Sequence, residues 1–185
     1  MIETAGFLVK LRVTAAPDAP TRGTLEAGGR TYDVALGRGG IVADKREGDG
    51  GTPAGKYLLR RAFYRADRVA KLKTGLPLRA ITPLDGWSDD PADKDYNCLV
   101  THPTEGERAL SAERMWRDDD IYDVVIVLGH NDDPPVPGNG SAIFVHLARD
   151  GFTPTEGCIA LKRDDLLSLV EKFAPGTVVE IVLTE

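Results

Sequence analysis

Apolar residues in this chain fall in short runs, each about the length of a β-strand, with glycine and proline between them. Residues 122–128 are almost wholly apolar and β-branched, and residues 142–147 and 177–183 are similar runs. The chain has 20 glycines and 12 prolines among 185 residues, which supplies many turns. The pattern predicts a chain that is folded mainly as β-sheet.

One segment instead has the apolar spacing of an amphipathic helix, and it covers residues 164–173. Asp164 and Asp165 lie in its first turn, where acidic side chains interact favourably with the helix dipole. Residues 111–116 predict a second, shorter helix, and residues 84–97 predict a long loop. We therefore expect one domain over residues 1–185, mainly β with one or two helices, in the α+β class.

Composition and charge argue against several classes of protein. The net charge is −6 and no long basic run is present, which disfavours a nucleic-acid-binding surface. No apolar run approaches the roughly 18 residues that a membrane-spanning helix needs. His130, His146 and Cys158 are ligand types that zinc accepts, but they lack the paired short spacing of zinc sites. We expect no metal and no cofactor.

Residues 141–161 carry the most reactive side-chain types. His146 ends a predicted buried strand, and Cys158 follows after a turn-rich loop, directly behind Gly157. A cysteine attacks as its thiolate, and a nearby imidazole can take the proton and later return it. A glycine beside the nucleophile lets a carbonyl approach backbone N–H groups that hold an oxyanion. From spacing alone, a core thiol and a structural histidine are the more frequent explanation, so both interpretations stay open.

Other residues have two interpretations each. His130 and Asn131 follow a predicted buried strand, and they either line a cleft and bind substrate or form a turn at the strand end. Ser141 precedes the strand of His146 and either supports the site or belongs to a turn. Cys98 lies in a predicted strand over residues 96–100 and is most simply a core thiol. His102 is predicted to be an exposed loop residue.

The signature of the L,D-transpeptidase (YkuD-like) family is Ser or Thr, then His-Gly-Cys, then an apolar residue, and it resembles residues 155–159, Thr-Glu-Gly-Cys-Ile. His146 matches the upstream catalytic histidine of that family. The family's Thr-Pro-x-Gly-x-aromatic segment is similar to residues 52–57, and the Gly-Asp-Gly lead at residues 48–50 is typical of a branch of small, stand-alone members. The resemblance covers about residues 30–183.

The resemblance implies a β-sandwich-like catalytic fold in which Cys158 is the nucleophile and His146 the general base and acid. It places Gly157 beside the thiolate at an oxyanion hole, and it puts Thr155 at the hydroxyl position of the signature. Glu156 stands where many relatives have histidine, so we expect substrate contacts there to differ from those of the better-known members.

The resemblance also implies a function. The expected reaction forms a thioester on a peptidoglycan stem peptide, releases D-Ala and transfers the acyl group to an amine, which gives a 3→3 cross-link. Carbapenem-type inhibitors are expected. The alternatives are an L,D-carboxypeptidase or amidase and a non-catalytic peptidoglycan-binding module. The implied location is the periplasm or cell envelope, but no signal-peptide pattern is visible in residues 1–14, so a cytoplasmic location stays open, as does the oligomeric state.

Overall fold

A computed structural model describes residues 6–101 and 111–183, and most of its regular structure is β-strand, as predicted. The strands in chain order are β1 (Lys10–Ala16), β2 (Ala19–Ala27), β3 (Arg30–Ala35), β4 (Ile41–Val42), β5 (Thr52–Pro53), β6 (Gly55–Tyr64), β7 (Leu78–Ala80), β8 (Asp85–Ser88), β9 (Leu99–Thr101), β10 (Ala112–Arg114), β11 (Val124–Leu128), β12 (Phe144–Leu147), β13 (Ile159–Leu161) and β14 (Val178–Val182). The helix of the described residues is α1 (Arg163–Val170), and a short 3-10 turn spans Asp150–Phe152.

The main sheet has nine strands in the order β11-β12-β13-β3-β2-β1-β14-β6-β7, and β11 also pairs with β6. That antiparallel pairing joins Val124–Leu128 to the second half of β6 and closes the sheet on itself. A closed sheet has an inner and an outer face, and side chains alternate between them along each strand.

The alternation divides the apolar side chains into two clusters. Val145 and Leu147 of β12, with Ile159 and Leu161 of β13, belong to the larger, inner cluster. Phe144, from the alternate positions of β12, belongs to a second cluster. All five residues of β11 are buried because both faces of this strand are covered, which explains its unbroken apolar and mainly β-branched run.

A small three-stranded sheet, in the order β10-β8-β9, contributes to the second cluster. Its middle strand lies inside residues 84–97, so the prediction of a loop over that whole segment is wrong. The predicted helix over residues 111–116 is also wrong, because Ala112–Arg114 pairs with β8 as a strand. The pairing partner is more than twenty residues away, and local spacing gives no sign of it.

The helix α1 confirms the helical prediction for its segment. Leu166, Leu169 and Val170 form its buried face and pack into the inner cluster. Asp164 and Asp165 lie in its first turn. Among the described residues, no helix is both long and apolar enough to span a membrane.

The described structure corrects the interpretation of Cys98. Strand β9 begins one residue later, at Leu99, and the cysteine is exposed, so the prediction of a core thiol is wrong. The turn that carries it also contains Asn97, which is buried. His102 lies outside the described residues.

Candidate active site

His146 and Cys158 lie on the same face of the main sheet. Strands β12 and β13 are parallel, with Val145 opposite Ile159 and His146 opposite Ala160. Cys158 precedes Ala160 by two positions, so it points to the same side of the sheet as His146. Both side chains are buried, at 4% exposure for His146 and 7% for Cys158.

Both side chains line one cavity of about 480 Å³ beside the small sheet. Of the residues named from the sequence, Ser141, Thr155 and Glu156 also line it. The other lining residues are mainly charged or aromatic: Glu47, Asp89, Glu113, Arg117, Tyr122 and Arg149. Sequence reasoning named none of these as site residues, because charged residues scattered along a chain usually lie on a solvated surface.

The loop before Cys158 packs directly against two other backbone segments. A Cβ atom added at Gly157 would lie 2.7 Å from the carbonyl oxygen of Gly51, and one added at Gly37 would lie 3.0 Å from the Cα of Gly157. Backbone bonds from Thr155 N–H to Leu36 O and from Arg38 N–H to Thr155 O fix the same contact. Glycine at positions 37 and 157 therefore has a physical reason: a side chain at either position would clash with the backbone segment that packs against it.

Thr155 holds the shape of this loop. Its hydroxyl donates to the carbonyl of Cys158 at 2.7 Å and accepts from Gly157 N–H at 3.1 Å. The hydroxyl of Thr155 thus stabilises the turn that precedes Cys158. Because this N–H already has an acceptor, an oxyanion hole that used it would first have to break the bond to Thr155.

We expect Gly157→Ala to lower the free energy of unfolding by about 3 kcal/mol, because it combines backbone strain with a clash. Gly157 has φ +134°, and the new Cβ would meet a backbone carbonyl that cannot move aside easily. Urea denaturation measures the change. Gly151→Ala is the matched control, since Gly151 has φ +70° but nothing within 4 Å of the added Cβ. Equal losses for the two variants would contradict the close approach to Gly51.

Glu156 forms an ion pair with Arg38, with the carboxylate oxygen 2.7 Å from Nε. Arg38 also donates to the carbonyl of Gly48 at 3.1 Å, so it links the cysteine loop to the Gly-rich turn. Both side chains of the pair are more than half exposed, at 54% and 77%. Such a pair contributes about 1 kcal/mol or less, and it leaves Glu156 at the rim of the cavity.

The thiol of Cys158 is held between two backbone groups. The N–H of Phe144 donates to Sγ at 3.4 Å, and Sγ donates to the carbonyl of Ala142 at 3.3 Å. Burial raises the pKa of Cys158 to about 12, although the bond from Phe144 opposes the rise. The resting sulfur is therefore a neutral thiol.

His146 is held in one tautomer. Its Nδ1 lies 2.9 Å from the carbonyl of Leu147, and a carbonyl only accepts, so Nδ1 carries the hydrogen. In the neutral ring Nε2 is then the free acceptor. Burial lowers the pKa of His146 to about 4; the guanidiniums of Arg149 and Arg117 add to the decrease, and the bond to Leu147 opposes it. The imidazole is a neutral base at ordinary pH.

Charged and aromatic side chains surround the histidine. The ring of Tyr122 meets the imidazole edge-on, with centroids 5.2 Å apart, and Arg117 lies 5.4 Å above that phenol ring. Two nitrogens of Arg117 donate to the two oxygens of Asp119, and Arg149 adds a contact at 3.3 Å. The result is an arginine pair at the cavity mouth whose geometry is set by one carboxylate.

The acidic side chains that line the cavity differ in their hydrogen-bond partners and in their surroundings. Burial raises the pKa of Glu113, and Asp89 raises it further, whereas Arg117 opposes the rise. One carboxylate oxygen of Asp89 is buried without a hydrogen-bond partner among the described residues. Glu47, by contrast, accepts from the hydroxyls of Tyr96 and Ser141, which accounts for Ser141 in structural terms.

His130 and Asn131 are not among the residues that line this cavity. His130 Nε2 lies 2.9 Å from the carbonyl of Asn139. The side-chain amide of Asn131 donates to the carbonyls of Val136 and Gly140, and its oxygen accepts from Val136 N–H. Asn131 has φ +49°, which is typical of a turn. Their substrate-binding role stays a prediction.

Within residues 6–101 and 111–183, no group of three or more His, Cys, Asp or Glu side chains is arranged to hold a metal ion.

Comparison with solved structures finds L,D-transpeptidases. L,D-transpeptidase 1 of Mycobacterium tuberculosis is 15% identical with a TM-score of 0.39, over 94% of this chain and 62% of that one. An L,D-transpeptidase in complex with imipenem is 14% identical with a TM-score of 0.41, over 93% of this chain and 58% of that one. The enzyme of Mycobacterium smegmatis is 13% identical with a TM-score of 0.41, over 94% and 58%. This chain thus spans about 60% of the length of these structures.

Among curated proteins, no sequence matches this chain significantly. The family model of the YkuD L,D-transpeptidase catalytic domain matches residues 18–181, which is most of the chain and includes both His146 and Cys158. The chain therefore belongs to the YkuD family of L,D-transpeptidase catalytic domains.

Proposed function

We propose that this protein is a cysteine acyltransferase that acts on peptidoglycan stem peptides through a thioester on Cys158. One observation carries the proposal: a buried thiol and a buried imidazole point to the same side of the sheet and line the same cavity. The pKa shifts keep both groups neutral, so the imidazole is free to accept the thiol proton. Family membership supports the substrate class.

In the acylation step, Cys158 Sγ attacks the carbonyl of the L-configured centre of the diaminopimelate residue. The S–C bond forms while the thiol proton passes to Nε2 of His146. The tetrahedral intermediate then collapses, the bond to D-Ala breaks, and His146 returns the proton to the departing amine. A thioester on Cys158 and free D-Ala are the products of this half-reaction.

In the transfer step, an amine of a second stem peptide attacks the thioester carbonyl. His146 takes the proton that the amine loses, and this proton returns to the sulfur as the S–C bond breaks. The product is a 3→3 cross-link, and the enzyme returns to its thiol form. Water in place of the amine would give carboxypeptidase action by the same route.

Charges around the cavity suggest how the two substrates are oriented. Arg149 is 45% exposed at the cavity mouth, where a guanidinium can pair with the carboxylate of the departing D-Ala. The unpartnered oxygen of Asp89, which also lines the cavity, can accept a hydrogen bond from the amine of the acceptor.

The strained carbonyl of a carbapenem is an electrophile for the same thiol, so we propose carbapenems as inhibitors. One structural relative was solved in complex with imipenem. Because peptidoglycan lies in the cell envelope, we propose that the protein acts there.

The direct test incubates the protein with a disaccharide-tetrapeptide and follows the products by mass spectrometry. We expect a cross-linked dimer together with release of D-Ala, and a stoichiometric imipenem adduct on the peptide that contains Cys158. Loss of D-Ala without a dimer would replace the transferase assignment by a hydrolase.

Cys158→Ala is the control for this test, and it should form neither product nor adduct. If the unaltered protein binds the muropeptide but forms no product and no adduct, the protein is a binding module and the proposal fails.

A further inference from the structure

Asn97 uses every hydrogen-bonding position of its side-chain amide. Its oxygen accepts from the indole N–H of Trp87 at 2.9 Å and from the backbone N–H of Ala142 at 3.0 Å. Its nitrogen donates to the carbonyls of His130 at 3.0 Å and Asn131 at 2.7 Å. The residue is 6% exposed, so removal of the amide would leave buried groups unpaired.

Ala142, which Asn97 holds, has an unusual backbone. Its φ is +53°, in the left-handed region that residues with a Cβ rarely adopt. Its carbonyl is the acceptor of the Cys158 thiol at 3.3 Å. The unfavourable backbone conformation of Ala142 therefore sets the position of the carbonyl that accepts the hydrogen bond from the Cys158 thiol.

The second backbone group that hydrogen-bonds to the sulfur, the N–H of Phe144, is also linked to Asn97. Phe144 donates its N–H to Sγ, and its ring packs edge-on against Trp87 with centroids 5.2 Å apart. Trp87 is in turn hydrogen-bonded to Asn97. One buried amide thus contacts, directly or through one side chain, both residues whose backbone groups hold the thiol.

We propose that Asn97 is a positioning residue of this site: it clamps Ala142 in the left-handed conformation and so fixes the carbonyl that orients the Cys158 thiol. The inference rests on the proposed role of Cys158 as nucleophile. Asn97 does not reach the sulfur itself, and it is not among the residues that line the cavity.

The clamp has two separable consequences for Cys158. The bond to Ala142 keeps the proton on sulfur, so its loss favours the thiolate. The same bond orients the sulfur, so its loss weakens attack on a bound carbonyl. The rate at which a small electrophile alkylates Cys158 should therefore rise, whereas the rate at which Cys158 is acylated by a bound carbonyl compound should fall.

The experiment uses Cys98→Ser as the parent, so that Cys158 is the one thiol left in the sequence. For Asn97→Ala we expect alkylation of Cys158 by iodoacetamide at fixed pH to become about fivefold faster, the equivalent of one hydrogen bond. We expect acylation by imipenem to become about tenfold slower at saturation, with the half-saturating concentration within about twofold of the parent.

A rescue variant separates clamping from general destabilisation. Glycine adopts positive φ without the Cβ penalty, so Ala142→Gly added to Asn97→Ala should move both rates back towards the parent. Ser88→Ala is the matched control: it removes a buried hydroxyl bond to Asp93 in the same small sheet without touching Ala142. This control should leave both rates unchanged.

Unchanged rates in folded Asn97→Ala, or changes that Ala142→Gly does not reverse, would overturn the proposal. If Asn97→Ala does not fold, Asn97→Ser carries the same expectations, because its shorter side chain cannot reach all four partners. If imipenem fails to acylate even the parent, the proposed function fails, whereas the alkylation rates still decide whether the clamp exists.

Discussion

Cys158→Ser is expected to lower acyl transfer by at least about 10³-fold, although the two side chains differ by one atom. A serine hydroxyl holds its proton far more tightly than a thiol does. The base available to it is His146, whose pKa of about 4 makes it a weak proton acceptor. Cross-linked dimer formed per enzyme molecule, followed by mass spectrometry, measures the loss.

Cys98→Ser is the matched control, because it makes the same substitution at the other cysteine of the chain. Cys98 is exposed and does not line the cavity, so the variant should retain full activity and form the full imipenem adduct. An active Cys158→Ser variant, or an adduct that moves to Cys98, would remove Cys158 from the proposed role.

His146→Gln is expected to lower the rate of acylation by about 10²–10⁴-fold, which is the usual contribution of a general base. Glutamine is polar and of similar length, but its amide does not accept a proton near neutral pH. The single-turnover rate of imipenem adduct formation measures the step without the acceptor. A loss of less than about threefold would show that another group deprotonates the thiol.

The pH dependence of acylation sharpens this prediction. In the folded protein burial lowers the pKa of His146 to about 4, so the base is neutral above that pH and is lost as pH falls through it. The acid limb should therefore lie near pH 4, whereas an unperturbed histidine would put it near pH 6.5. His146→Gln should abolish this limb.

The order of the two pKa values also decides the resting state. The thiol, at about 12, lies well above the imidazole, at about 4, so the proton stays on sulfur and no thiolate–imidazolium pair forms before substrate binds. If the acylation rate of the wild-type protein showed an inflection near pH 6.5, this order of the pKa values would be contradicted.

Much of the fold could be predicted because its most regular elements each show a clear pattern of apolar residues within their own segment of sequence. Strand β11 is buried on both faces and its sequence is an unbroken apolar, mainly β-branched run, and α1 has its apolar residues at helical spacing. Strand β10 has neither signal. Of its three residues, Ala-Glu-Arg, the first two are partly buried and the third is exposed, and they form a strand because β8 lies beside them.

The candidate site likewise contains residues that could be identified from the sequence and residues that could not. Cys158 and Gly157 could be named as candidates because they belong to a short contiguous signature, and His146 because it matches the histidine that lies upstream of that signature in the family. Arg117 and Glu113 could not, since their roles depend on Tyr122 and on the small sheet, which brings them to the cavity. Cys98 was misassigned because an apolar neighbourhood in sequence does not reveal that the chain turns there.

Because Gly37, Gly51 and Gly157 are in close contact, the burial of the Cys158 thiol depends on the folding of the whole domain. Gly37 and Gly51 lie more than a hundred residues before Gly157 in the sequence, so the loop is packed in this way only after these segments have met. Before they meet, the thiol is an ordinary cysteine, with a pKa near 9 rather than about 12. A newly made chain therefore exposes Cys158 in a more easily oxidised and alkylated form, and folding shields the sulfur.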